Sequence, residues 1–371
     1  MSELSGKAAE GAEGAPEKAA DSPAEAAAPA PASAADKPAA KKAKAAEPEA
    51  AGPELQVAPS PHLPAGPSTQ AMMRDVLIAL VPVVAMAVYI FRWYAVKQIL
   101  ICVVACVAAE AAFTAMRRRP VSVDDLSAGV TGLILGLSLP WSAPWYAGFI
   151  ASVVAVAIGK VLFGGLGQNI FNPAMVGRAF ALIAFPAALG ASAYTATSSA
   201  IDTLTRATPL TAAKQAGMTT DLMELLIGTT NGSLGETSAA ACLLGGLYLC
   251  VRRSASWEIP AGTAAAVIVL AGLGDLVTGE QTWTVSHHLL GGALLFGAFY
   301  IATDPVTSPL TPRGKWIYGA GFGALVLLIR EFSGYPEGVM FAVLLMNAMA
   351  PLINRWTIPR PVGGPVPVRD K

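Results

Sequence analysis

Residues Cys102–Pro120 read CVVACVAAEAAFTAMRRRP. The run is apolar all round, carries one acid at Glu110, and stops at three arginines and a proline. A helix with a single wet face would alternate polar and apolar positions every three to four residues. This one has no such face, and with the residues before it is long enough to cross about 30 Å of hydrocarbon. The arginines mark its water-facing end and fix the sense in which it crosses.

Working outward, the chain repeats this design. Of its 371 residues 54% are apolar and 13% charged, which suits a membrane protein and few soluble ones. Ten apolar segments follow, near 75–94, 97–116, 125–140, 144–163, 172–190, 237–252, 257–275, 287–303, 315–331 and 337–354. The predicted fold is an all-α polytopic membrane protein of about ten transmembrane helices. Several segments are short or interrupted by Gly and Pro, so some helices are expected to be broken. An even count places both termini on one side. Arg117–Arg119, Lys160, Arg252, Arg253, Arg313 and Lys315 fall in the loops on that side, so the termini are expected in the cytoplasm. The loop between the fifth and sixth spans then faces outward. Trp141, Trp145, Tyr146 and Trp283 read as interfacial anchors, and His287 and His288 as interfacial too.

The divisions follow from this pattern. Residues 1–68 are built from Ala, Pro, Glu, Lys and Ser without apolar periodicity, and are expected to be a disordered cytoplasmic tail rather than a signal peptide. A first transmembrane half covers 69–190, an outward loop 191–236, a second half 237–356 and a cytoplasmic tail 357–371. Each half ends alike: GGLGQNIFNPAMVGRAF (Gly164–Phe180) and SGYPEGVMFAVLLMNAMAP (Ser333–Pro351) are both Gly-rich turns followed by helices of small residues and methionine. Two five-helix repeats of inverted topology are the natural reading, with sites where helices break near the midplane.

Four polar groups interrupt the apolar chain. Glu110 lies about two turns before the arginines; an intramembrane acid often marks an ion path, and it can equally snorkel or pair with Arg117–Arg119. Asn169 and Asn172, with Pro173, break the start of the fifth span, and Arg178 follows. Such a helix start can hold a phosphate or a polar ring edge, and a capped helix start explains it as well. In ATDPVTSPLTPRGK (Ala302–Lys315), Asp304 is either a turn residue or an oxygen ligand on an ion route. The fourth group is DTLTRATPLT (Asp202–Thr211), four hydroxyls with one acid and one arginine in the outward loop. Glu236 at the start of the sixth span complements a helix dipole and is assigned no chemistry. Cys102, Cys106, Cys242 and Cys250 sit in apolar runs without metal-ligand spacing, so packing is their expected role. No GxGxxG, Walker or CxxC motif is present, so no Rossmann NAD site, ATP hydrolysis, metal site or nucleic-acid binding is expected.

These segments together resemble a known family: the membrane-bound D subunit of the Rnf ferredoxin–NAD oxidoreductase complex, with its relative, the B subunit of the sodium-pumping NADH–quinone reductase. GQNIFNPAMVGRAF is the most specific match; DPVTSP, PEGV (Pro336–Val339) and NAMAPLIN (Asn347–Asn354) agree in order, from about Met72 to Pro361. Asp202, Thr205, Ala207 and Thr208 are similar to the family's D-x-x-[ST]-G-A-T flavin-attachment pattern, with Arg206 where glycine is usual. Asn354 stands where many relatives have Asp. The resemblance implies FMN esterified to Thr208, flavin contacts from Asn169, Asn172 and Arg178, and ion-pathway roles for Glu110 and Asp304. It implies electron relay with the flavin-bearing G subunit of the Rnf complex, its membrane-bound A and E subunits as neighbours, and a flavin transferase for maturation. Family members can also hold noncovalent riboflavin. The implied function is a subunit of a complex moving sodium or protons across the bacterial inner membrane, not catalytic alone. Two other readings stay open: the quinone-reductase subunit, and a non-redox small-solute transporter or channel.

Overall fold

The structure, a computed structural model, describes residues 68–118, 123–190, 208–278, 283–333 and 337–359. The expectation for the first 67 residues falls outside these, as do Asp202, Thr205, Arg206 and Ala207 of the outward loop. Among the described residues the secondary structure is helical, with one isolated bridge between Pro140 and Ser233.

Helix α1 (Thr69–Phe91) starts at Ser68, whose hydroxyl accepts from the Ala71 N–H, and passes through Pro82. It turns into α2 (Trp93–Met116) through Arg92 alone, whose φ of 53° and ψ of −132° reverse the chain in one residue. Helix α3 (Ser127–Ser138) is a half-length element that runs on in extended backbone from Leu139. Helix α4 (Trp145–Val156) ends in a π turn, Ala157–Val161. Helix α5 (Pro173–Ala184) begins where the Asn172 side chain accepts from the Ala174 and Met175 N–H groups, and breaks at Phe185–Pro186 into a short α6 (Pro186–Leu189). The second part contains α7 (Pro209–Ala216), α8 (Leu222–Ile227), α9 (Ala239–Val251) and α10 (Glu258–Thr278). The segment expected as one span over 287–303 is interrupted. It forms α11 (Val285–Leu290), a bend at Gly291–Gly292, then α12 (Leu294–Phe296) leading into a π turn over Gly297–Ile301. Helices α13 (Pro312–Phe332) and α14 (Val339–Thr357) close the chain.

Helices α1, α2, α10 and α14 are long and apolar enough to cross a membrane; α3, α4, α5 and α9 are shorter apolar helices. Large apolar side chains such as Leu100, Val104, Leu276 and Leu345 are exposed on these helices, as lipid contact requires. Between helices, small residues let backbones approach. A methyl group at Gly132 of α3 would lie 2.6 Å from Val103 Cα, and one at Gly319 of α13 would lie 2.3 Å from the Ile259 carbonyl oxygen. Helix α1 packs on α9, α2 on α3 and α4, α4 on α5, α10 on α13, α13 on α14, and α5 on α14.

Polar contacts tie the packed helices. Asp75 of α1 accepts from Ser254 Oγ at 2.6 Å and meets Arg252 Nε at 3.4 Å, beyond the end of α9. Asn347, inside α14, accepts from the Asn172 backbone N–H at 3.1 Å and donates to Tyr318 Oη at 2.8 Å. Three of the residues read as interfacial pack inside the protein. Trp141 is buried, its ring edge-on to Tyr94. His287 and His288 are buried too, and His287 Nε2 lies 3.1 Å from the Thr220 carbonyl. Trp145 and Tyr146 are exposed, as anchors should be. The cysteines are free, three of them buried, with Cys102 and Cys106 against carbonyls of α4.

Candidate functional site

Two polar clusters take side chains from α5 or its cap, one at Asn172 and one at Arg178. The first forms where α2, α3 and α4 meet. Glu110 of α2 is 1% exposed, and its Oε1 lies 2.5 Å from Nζ of Lys160, itself 3% exposed. The lysine also donates to Ser127 Oγ and comes within 3.8 Å of Asp125 Oδ2. Asp125 in turn accepts from the Ser127 N–H at 2.8 Å, fixing the start of α3. Lys160 stands in the π turn that ends α4, and such turns recur at functional positions because they re-aim a side chain without ending the helix. Of the arginines that follow Glu110, Arg117 donates to the Val161 carbonyl, and Arg119 lies outside the described residues.

Lys160 and Ser127 line a cavity of about 70 Å³ together with Asn169, Asn172, Tyr300 and Asp304. That is room for several waters, at roughly 10–15 Å³ each. Asp304 sits past the second π turn, where its carboxylate accepts from the Val306 N–H at 3.3 Å and the Thr307 hydroxyl at 3.2 Å. The structure thus gathers Asn169, Asn172 and Asp304 around one space, with Glu110 joined to it through Lys160. Sequence reasoning missed Lys160 in this role. Its place after an apolar run, among glycines, is the only signal that the sequence carries.

The second cluster surrounds Thr208. This residue caps α7: its hydroxyl accepts from the Thr211 N–H at 3.3 Å and lies 2.7 Å from Thr211 Oγ1. Below it a small cavity is bounded by Leu210, Asn231, Gly232, Glu236, Gly292 and Glu337. Gly292 has φ +67°, and a methyl group there would strike Leu210, Glu337 and Arg330 at once. Arg178 reaches in from α5, with Nη2 3.7 Å from both Glu236 Oε1 and Glu337 Oε2. Arg330 of α13, 4% exposed, donates to the His288 and Gly291 carbonyls at 2.7 and 2.8 Å. Lys214 of α7 donates to the Arg330 carbonyl at 2.7 Å, tying the Thr208 helix to the end of α13.

Arg178 therefore parts company with Asn169 and Asn172. The sequence groups the three; the helix turns and rises about 1.5 Å per residue between them, so they serve different ends. Glu236, given no chemistry in the sequence, is a central member of the second cluster. Asn354 accepts from the Leu310 N–H at 2.9 Å, an amide in a structural role. Among the described residues no group of three or more His, Cys, Asp or Glu could hold a metal.

The Thr208 hydroxyl lies at a helix N-terminus, where backbone N–H groups and the dipole favour negative charge. The cavity of about 10 Å³ beside it has room for about one water and is lined by Glu236 and Glu337, so a phosphate on this hydroxyl would lie outside that cavity.

Known proteins resemble this chain over most of its length. The chain is 41% identical over 313 residues to the D subunit of the Na(+)-translocating ferredoxin:NAD(+) oxidoreductase complex of Acetobacterium woodii, covering 83% of this chain and 95% of that protein. It is 39% identical over 314 residues to the D subunit of the proton-translocating ferredoxin:NAD(+) oxidoreductase complex of Clostridium ljungdahlii, covering 82% and 94%. It is 41% identical over 341 residues to the D subunit of the ion-translocating oxidoreductase complex of Halorhodospira halophila, covering 83% and 95%. Residues 56–363 match the model of the NQR2, RnfD, RnfE family. This chain is a membrane protein that belongs to the NQR2, RnfD, RnfE family.

Proposed function

We propose that the chain is the membrane-bound D subunit of an ion-translocating ferredoxin:NAD oxidoreductase, and that Thr208 carries FMN as a phosphoester. Similarity over nearly the full length of proteins bearing that name supports the complex. The observation that carries the flavin is the placing of Thr208 as the cap at the start of α7, where helix-start N–H groups and the dipole favour an anion. When bound, flavin supplies one- and two-electron transfer, the chemistry the cofactor brings and the protein only positions. The chain's own residues do the holding. The start of α7, with its N–H groups and dipole, bears the phosphate charge, and Lys214 anchors α7 to α13.

In the reading that fits best, ten spans form two inverted five-helix halves, the termini are cytoplasmic and Thr208 faces outward across the bacterial inner membrane. The pairing of α1 with α9 and of α5 with α14, each the same position in its half, is what a two-fold repeat produces. Sodium or protons pass by the cavity of Lys160, Asn169, Asn172 and Asp304, with Glu110 at its side. The relatives named for sodium and for protons are 41% and 39% identical, so the reading keeps both ions. The G, A and E subunits of the complex are the partners, a flavin transferase attaches the FMN, and noncovalent riboflavin is a further cofactor of the assembly.

The test is in-gel flavin fluorescence of denatured protein co-expressed with its flavin transferase. Wild type should fluoresce and Thr208→Ala should be dark. A dark wild-type band, with the transferase active on a control protein, would remove the covalent flavin.

A further inference from the structure

Two acids far apart in the chain meet beneath Thr208. Glu236 stands in the link before α9 and Glu337 in the link before α14. One oxygen of each is anchored: Glu236 Oε2 accepts from the Ser233 N–H at 3.4 Å, and Glu337 Oε1 from the Ala293 N–H at 3.0 Å. The other oxygens, Glu236 Oε1 and Glu337 Oε2, are buried, have no hydrogen bond, and turn toward the same guanidinium nitrogen. Arg178 stands 3.7 Å from each, well beyond the roughly 2.7–2.9 Å of a charge-assisted hydrogen bond. The Glu236 side chain is 6% exposed, so water does not screen it.

We propose that Glu236 and Glu337 share one proton, forming a carboxyl–carboxylate pair that binds a proton from water at neutral pH. Two like charges enclosed together cannot both ionise cheaply, so the proton is retained by the pair rather than by either acid. Burial and the facing Glu337 carboxyl hold the Glu236 carboxyl well above the usual carboxylate range, outweighing Arg178 and Ser233. None of the other charged or titratable neighbours hydrogen-bonds the two free oxygens. Arg330 donates to two carbonyls while its charge acts on both acids through space, and Lys214 donates to the backbone at the end of α13. His288 lies 3.9 Å from Glu331, which is 62% exposed, and Cys242 of α9 donates to the Gly235 carbonyl. Two guanidinium groups, two carboxyls and one shared proton leave a single positive charge under Thr208. That this charge balances a flavin phosphoester rests on the proposed function; the shared proton does not.

Infrared spectroscopy of the full-length protein in lipid nanodiscs tests the pair. The expected result at pH 7 is the carbonyl band of a protonated carboxylic acid, shifted in D2O, lost in Glu236→Gln and in Glu337→Gln, and kept in Thr208→Ala. Absence of the band in wild type, or its survival in both glutamine variants, would overturn the pairing. If a glutamine variant fails to fold, the wild-type titration still decides. A band that persists well above the ordinary carboxylate range supports the pair, and one that vanishes within that range refutes it. A protein that is dark to flavin fluorescence yet keeps the band would sink the flavin and not the pair.

Discussion

Replacing Lys160 with methionine should destabilise the protein by about 3–5 kcal/mol, the cost of removing the ammonium that a buried carboxylate faces. The geometry sets the scale. Glu110 and Lys160 are 1% and 3% exposed and 2.5 Å apart, a gross attraction of about 7 kcal/mol at an effective dielectric near 20. Methionine keeps the unbranched stem, so packing beside the π turn survives and the loss is electrostatic. Asp125, 21% exposed, can regain water when the ammonium goes, whereas Glu110 cannot. The matched double variant, Glu110→Leu with Lys160→Met, removes both charges and should recover most of the loss. A coupling energy of about 2–4 kcal/mol is expected from the double-mutant cycle. The assay is unfolding in mixed SDS micelles followed by far-ultraviolet circular dichroism. A single substitution costing under about 1 kcal/mol, or a double variant that costs the sum of the two singles, would refute a buried pair.

Two further outcomes are expected. Gly245→Ala places a methyl group 1.9 Å from the Ala79 carbonyl oxygen and 2.1 Å from Tyr300 Oη, so α1 and α9 must separate. A loss of about 3 kcal/mol should appear as an early-melting, aggregating species in size-exclusion thermal scans. Asp304→Asn keeps one oxygen for the Val306 N–H, and its NH2 can donate to the Thr307 hydroxyl oxygen in place of the bond it received, so stability should change by less than about 1 kcal/mol. Ion translocation by the reconstituted complex should nevertheless fall by about tenfold or more while flavin fluorescence is retained. An unchanged ion flux would take Asp304 off the path.

The helical class is legible from runs such as Cys102–Met116, because hydrocarbon permits backbone polar groups only when they bond within the segment. Helix ends are legible too wherever a side chain caps them. Asn172 before Pro173 and Thr208 before Pro209 both carry the donor-accepting residue and the proline that start a helix. The candidate polar residues could be named for the same reason: an amide or acid amid apolar neighbours stands out.

What the sequence by itself determined was therefore composition along the chain: which stretches belong in lipid, where they start, and which groups are too polar to be there without a partner. Tertiary structure alone decided the partners. Glu110 and Lys160 are 50 residues apart and touch because α2 and α4 pack through small residues. Asn172 and Arg178, six residues apart, face separate clusters because a helix turns about 100° per residue. Glu236 looked like a helix-start acid and became half of a buried pair once Glu337 was folded against it. Local pattern records the energy of one segment in its solvent, whereas pairing energies depend on distances that only the packed chain sets.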